Sequence, residues 1–374
     1  MRVMIVVTHL LGTGHLSRAL TLARAFVAAG DAVTVVSGGR PVPHFDTGGV
    51  TLVQLPPVAS NGADFTTLLD DSGAPASAAY MQARTDALIG ALDQGQPDVL
   101  ITELFPFGRR ILRQEFGALL TAARALRPAP LVLSSIRDIL APPSKPSKAA
   151  FAEATVRDLY DSVLVHSDPA VVPLDRSWPV SDTLARALHY TGFVAPPVVA
   201  PAPAHGAVIV SAGGGTVGDG IFDAALAAAR QDMRTWRLLI GGDAARRARF
   251  AAAAPDNVVV EPPTPDFRTL LTGAAASVSM CGYNTALDVL QTGVPAVLIP
   301  FDDGGEVEQG LRADALAALP GIAVLRQDGL TGDALLDAVK SARMSGPRLA
   351  RTDGMDGAGE TARIVHRLVR GGSQ

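Results

Sequence analysis

Two glycine turns and one histidine carry the first chemical signal in this chain of 374 residues. The first turn reads Thr8-His9-Leu10-Leu11-Gly12-Thr13-Gly14-His15 and follows the apolar run 3–7. It has the outline of a nucleotide-binding strand–loop–helix unit, but Ser17 stands where a third glycine belongs. His15 sits at the expected helix start. Imidazole titrates near neutrality and can take a proton from an attacking hydroxyl. A helix N-terminus lowers its pKa and keeps it able to accept that proton. The plain alternative is a histidine that only caps the helix or satisfies a neighbour. The second turn, Ser211-Ala212-Gly213-Gly214-Gly215-Thr216, also lies between a strand pattern and a helix pattern. There, bare backbone and free N–H groups suit a diphosphate, and Thr216 adds a hydroxyl. No Gly-Lys-Ser/Thr follows, so it is not a P-loop. The first turn is a poor NAD site, because the second strand ends Val36-Ser37-Gly38-Gly39, without the acid that would hold a ribose.

These groups need a scaffold, and the sequence supplies its rhythm. Apolar, β-branched runs at 3–7, 33–36, 51–55, 99–102, 131–134 and 163–166 alternate with helical patterns such as 16–29 and 111–126. Continuous apolar strands are expected where helices cover both faces of a parallel sheet. The Pro/Ala-rich stretch 194–205 interrupts the pattern. The rhythm then restarts with strands at 207–211, 236–240, 258–260, 275–279 and 296–299. This predicts an α/β protein with an N-terminal Rossmann-like domain (1–194), a stiff linker (195–206) and a second Rossmann-like domain (207–357). A last helix at 358–374 would pack on a domain surface, the N-terminal one included. Two doubly wound sheets would face a cleft, with ligands at the carboxyl ends of their strands.

Composition narrows the function classes. Hydrophobic residues make up 48% and charged residues 18%, which is globular and not disordered. A formal net charge of -4 without a basic domain argues against nucleic acid as the partner. The single cysteine, Cys281, excludes a disulfide framework and a cysteine-based zinc site. No metal constellation stands out. The start of the chain reads as a strand and not as a signal peptide, so a cytoplasmic protein is expected. Residues 109–127 mix basic and apolar side chains. An ordinary amphipathic helix is the simpler reading, with peripheral contact to an anionic membrane as its rival.

The segment Ser279-Met280-Cys281-Gly282-Tyr283-Asn284-Thr285-Ala286-Leu287-Asp288, continuing through Gly293-Val294-Pro295 to Pro300-Phe301, is the most specific in the sequence. It resembles the donor-binding core of GT-B glycosyltransferases. Family 28, which includes the N-acetylglucosamine transferase of peptidoglycan lipid synthesis, is the best likeness, within a bacterial group of predicted glycosyltransferases. The resemblance implies a nucleotide-sugar co-substrate, a UDP-sugar first among them, and no resident cofactor or metal. It places Gly213, Gly214, Gly215 and Thr216 with Gly282, Asn284 and Thr285 at the donor diphosphate. Asp288 falls on the ribose, where the family usually has Glu, and Thr264 falls at the base. Glu308 and Gln309 fall at the donor sugar, beside Asp302 and Asp303. Glu308 stands where close relatives carry Gln, which leaves the sugar open.

In the same resemblance the N-terminal domain holds a hydroxyl acceptor, be it lipid, glycan or small molecule. Gly12, Thr13 and Gly14 would meet it, along with Arg137, Asp138 and His166 at the ends of two further strands. His15 is the first candidate base and Glu103, after the strand 99–102, the second. Three other functions share parts of this pattern. They are a UDP-sugar 2-epimerase, an NAD(P)-dependent oxidoreductase, and a nucleotide-sugar binding protein without catalysis.

Overall fold

The computed structural model describes residues 1–60, 67–213, 217–301, 307–345 and 349–371. The chain divides into two units, residues 1–194 with 356–374, and residues 195–355.

The first unit runs β1 (Arg2–Val7), α1 (Gly14–Ala28), β2 (Ala32–Ser37), β3 (Val50–Gln54), α2 (Ala78–Gly95), β4 (Val99–Glu103), α3 (Arg113–Ala125), β5 (Leu131–Arg137), α4 (Pro146–Leu159), β6 (Ser162–His166), α5 (Asp182–Ala187) and β7 (Leu188–Tyr190). Its seven strands lie in the order β3-β2-β1-β4-β5-β6-β7, and all pairs are parallel. The second unit runs β8 (Val208–Ser211), α6 (Asp219–Ala229), β9 (Trp236–Leu239), α7 (Ala244–Ala252), β10 (Val258–Glu261), α8 (Phe267–Thr272), β11 (Ala276–Ser279), α9 (Tyr283–Thr292), β12 (Ala296–Leu298), α10 (Glu308–Leu316), β13 (Ile322–Val324) and α11 (Gly332–Met344). Its six strands are ordered β10-β9-β8-β11-β12-β13, again parallel throughout.

The central strands are apolar because both faces are covered. Val3, Ile5 and Val7 pack with Leu16, Leu20, Ala23 and Phe26 of α1. That spacing places one stripe of the helix on the sheet. The alternate residues Met4 and Val6 join the other face with Leu88, Leu92 and Phe116. The last helix, α12 (Gly357–Gly371), returns to the first unit. Ile364 and Val365 bury against the α1 face, and His366 Nε2 bonds Asp31 Oδ2 at 2.7 Å.

Two edge strands, β7 and β13, escaped the sequence reading because each has only three residues and no long apolar run. The Pro/Ala-rich segment expected as a stiff linker has no regular structure, yet it is strapped along the second unit. Pro196 and Pro197 accept from Gln291 and Arg268, Ala202 donates to Thr272, and His205 donates to the Leu270 carbonyl.

Candidate active site

Each sheet has one point where the chain order reverses. In the first unit it lies between β1 and β4, and in the second between β8 and β11. Loops leaving adjacent strands in opposite directions open a crevice there.

At the first of these points His15 meets Glu103. The His15 Nδ1–H donates to Glu103 Oε1 at 2.7 Å, and Arg18, one turn further along α1, also donates to that oxygen. Glu103 is 1% exposed and Arg18 8%. Burial works to raise the Glu103 carboxyl, but His15, Arg18 and Arg109 together hold it well below the usual carboxylate range. Burial also pushes the His15 imidazole down to about 4, further than Glu103 pulls it back. The result is a neutral imidazole beside an anion. With Nδ1 engaged, Nε2 is the nitrogen left to accept a proton. A carboxylate this buried, locked by two donors, is placed to orient His15 and not to reach a substrate. Gly12, Thr13 and Gly14 lie exposed at the start of α1, where no side chain caps the helix.

The loops around this point are held by a residue that the sequence reading missed. Arg84, on α2, is fully buried and donates from Nε to Glu115 Oε2 at 2.6 Å and from Nη2 to Oε1 at 3.2 Å. Its remaining donors reach the Gly38 and Pro56 carbonyls at 2.7 and 2.5 Å and Thr8 Oγ1 at 3.0 Å. One guanidinium thus ties the segments after β1, β2 and β3. Its only sequence signal was a charge on an otherwise ordinary helix. Arg109, with φ of 57°, donates to the Thr8 carbonyl at 2.7 Å. His9 Nε2–H donates to the Arg40 carbonyl at 3.0 Å, and a Cβ on Gly39 would stand 2.6 Å from the His9 ring, so glycine is required beside it. Between these segments lies a cavity of about 440 Å³.

Two expected acceptor contacts, His166 and Asp138, need revision. His166 is fully buried, and both ring nitrogens are taken, by Ser135 Oγ at 2.7 Å and Thr191 Oγ1 at 2.9 Å. Burial pushes its imidazole down to about 3. It is a neutral fastener inside the sheet and not a surface for a ligand. Asp138 is 1% exposed and is likewise interior. Arg137 is half-buried, but its Nε is shut away from solvent. Polar residues ending a strand look alike in sequence whether they face a crevice or pin the next loop.

In the second unit the described residues expected at the donor follow the carboxyl ends of β8, β10, β11 and β12. Gly213 follows β8 with φ of 79°, and its N–H donates to Ser211 Oγ at 3.2 Å. Gly214, Gly215 and Thr216 lie outside the described residues, as do Asp302 and Asp303. Gly282, after β11, caps α9 with φ −64° and ψ 155°, which any residue adopts, and a Cβ there would meet nothing within 4 Å. The fold itself sets no demand for glycine at 282, and the helix start is open to close backbone approach. Asn284 is exposed and Thr285 half-buried in the first turn of α9. Arg312, from α10, fixes the Cys281 carbonyl at 3.0 Å. Thr264, after β10, accepts from the Asp266 N–H at 3.1 Å. Glu308 starts α10, and Gln309 Oε1 accepts from the Phe301 N–H at 3.2 Å.

Asp288 lies on α9 with its side chain 14% exposed, 3.3 Å from Arg268 Nε. Burial raises its carboxyl to about 6, although Arg268 opposes the rise.

Residues 236–368 match the model of the glycosyltransferase family 28 C-terminal domain. Among solved structures, MurG of Acinetobacter baumannii is similar at 15% identity, with a TM-score of 0.64 over 98% of this chain and 100% of that one. CalG4, the calicheamicin glycosyltransferase, is similar at 19% identity and a TM-score of 0.64, covering 98% and 97%. VinC, a glycosyltransferase in complex with dTDP, is similar at 18% identity and a TM-score of 0.61, covering 99% and 96%. A comparison with curated proteins returns no match. The two parallel sheets and the matched C-terminal domain make the chain a GT-B glycosyltransferase resembling family 28.

Proposed function

We propose that the chain moves a sugar from a UDP-sugar to a hydroxyl acceptor in one inverting displacement that needs no metal. The second unit takes the donor and the first takes the acceptor. Backbone N–H groups at Gly213 and at the Gly282-capped start of α9 receive the diphosphate and stabilise it as it leaves. Asp288 accepts two hydrogen bonds from the ribose hydroxyls. Thr264 lies near the base, and Glu308 and Gln309 near the sugar.

His15 Nε2 removes the acceptor proton as the oxygen attacks the anomeric carbon. The bond from that carbon to the diphosphate oxygen breaks as the new one forms, so the configuration inverts. Glu103 fixes the His15 tautomer and stabilises the imidazolium produced. The single observation that carries this reading is the His15–Glu103 hydrogen bond across the β1/β4 reversal point.

The UDP assignment is supported by the likeness to the N-acetylglucosamine transferase of family 28. VinC was crystallised with dTDP, so thymidine nucleotides are the competitor to exclude. Calorimetric titration with UDP, dTDP and GDP tests the donor. Tight dTDP binding with no UDP binding would overturn the assignment. Anomeric NMR of the product, with and without EDTA, tests inversion and metal independence.

A further inference from the structure

The β1/β4 reversal point holds a cation to which the transfer reaction gives no task, Arg18. We propose that Arg18 is a positioning residue of that reaction. By sharing one oxygen of Glu103 with His15, it keeps the carboxylate ionised and turned to the imidazole, and it sets the pH range in which His15 acts as a base. This rests on the reading of His15 as the base.

Arg18 follows His15 by three residues on α1, so both side chains leave one face of the helix, and both reach Glu103 at the end of β4. The Arg18 residue is 8% exposed, and its Nε is shut away from solvent. It is placed to act on its neighbours and not to clamp a substrate. A cation near the N-terminal end of a helix is set against the dipole, and the first turn of α1 supplies no acid to offset it. Burying a charge there is costly unless a partner is resident. Glu103 is that partner.

Glu103 needs Arg18 in return. His15 Nδ1 and Arg18 Nη2 both donate to Oε1, while the buried Oε2 has no hydrogen-bond partner among the described residues. Arg18 Nη2 also stands 3.3 Å from His15 Nδ1. One charge thus does two things. It stabilises the carboxylate, and it repels a proton arriving on the ring. Burial is the largest cause of the low His15 pKa, Glu103 works against it, and Arg18 and then Arg109 reinforce it. Arg109 acts more weakly on His15 than Arg18 and is tied to the Thr8 carbonyl. Two further histidines feel the Glu103 charge, His9 and His166, and burial pushes both towards the neutral form. Without Arg18 an anion and a weak base would remain side by side in a buried place. The pair would then take up its first proton at a higher pH, whichever of the two carried it. Either location ends catalysis, because the base must be neutral and its orienting partner ionised.

The test is NMR of the full chain with labelled histidine, from about pH 3.5 to about pH 8. It follows the His15 Cε1–H signal, assigned by its loss in His15→Gln. In Arg18→Met the midpoint should rise by about one unit or more above the wild type. In Arg18→Lys, which keeps the charge, it should stay close to the wild type. Arg18→Met leaves Glu103 buried without its cation, so a second comparison guards against loss of the fold: Glu103→Gln against Arg18→Met/Glu103→Gln. There the double variant should titrate above the single one, because the guanidinium acts on the ring directly across 3.3 Å. Release of UDP from UDP-N-acetylglucosamine, with water as the acceptor, is followed over the same range. Its acid limb should move with the NMR midpoint in Arg18→Met and return in Arg18→Lys. A purely structural Arg18 would lower the rate at every pH with midpoint and limb both in place, and that result, in the double variant where Arg18→Met does not fold, would overturn the proposal. A midpoint that moves while the limb stays would instead strike His15 as the base, and with it the place of Arg18 in the reaction.

Discussion

The two reversal points are built on opposite plans. At β1/β4 the fold fills the crevice with its own charges. His15, Glu103 and Arg18 already bond one another, and Arg84 locks the loops behind them. At β8/β11, among the described residues, Gly213 and Gly282 bring backbone without a side chain to the strand ends. The contrast follows from what each has to handle. A general base must be held in one tautomer and one orientation before substrate arrives, so its partners are resident. A diphosphate carries its own charge, so its site needs exposed N–H groups and room for the backbone to come close.

If this contrast is real, the largest effect comes from His15→Ala. We expect kcat to fall by roughly 10²–10⁴, the usual contribution of a positioned base. UDP affinity, measured by calorimetry, should stay within about twofold, because donor contacts lie in the other unit. A comparable loss of UDP binding would erase the division of labour. Glu103→Gln keeps the shape but removes the charge that stabilises the imidazolium, and its kcat should fall between wild type and His15→Ala.

The next effect is on stability. Arg84→Met leaves Glu115 buried without its cation and should cost about 3–5 kcal/mol in a denaturant titration. A loss under about 1 kcal/mol would show that Arg84 is not the clamp its geometry describes.

Arg84 also shows where sequence reading stops. The parallel sheets were legible because their strands are continuous apolar runs, and the glycines after β8 and β11 marked the candidates for the donor. His15 stood out for the same reason, as an imidazole on a glycine turn. Its partner did not. Glu103 lies 88 residues away, and only the β1–β4 pairing turns a second candidate base into the group that holds the first. His166 failed in the other direction. At a strand end it looks available, but two hydroxyls from neighbouring elements consume it. Partners in three dimensions decide whether a polar residue is used or usable, and the sequence does not record them.

A smaller effect belongs to Asp288→Ala. Losing two ribose hydrogen bonds to a charged group should raise the donor KM by about 10–100-fold, with kcat at saturating donor nearly kept. A fall in kcat with KM unchanged would place Asp288 at the chemistry and not at the ribose.

The subtlest test separates the two sites by pH alone. Asp288 titrates near 6, because burial outweighs Arg268, and it holds the ribose only when ionised. His15 titrates near 4, because burial outweighs Glu103, and it acts as a base only when neutral. Lowering the pH from 7.5 to about 5 should therefore protonate most of Asp288 while leaving His15 neutral. Donor KM should climb through that interval as kcat stays level, and kcat should decline only as pH approaches about 4. Arg268→Met removes the charge that restrains the Asp288 carboxyl, so the KM limb should move to higher pH with the kcat limb unmoved. In Asp288→Asn the KM limb should vanish, because no carboxylate remains to titrate. Steady-state kinetics from about pH 3.5 to about pH 8 on these three proteins read both limbs at once. A kcat that falls together with the affinity near pH 6 would mean that one group governs both sites, and the two reversal points could no longer be treated as separate devices.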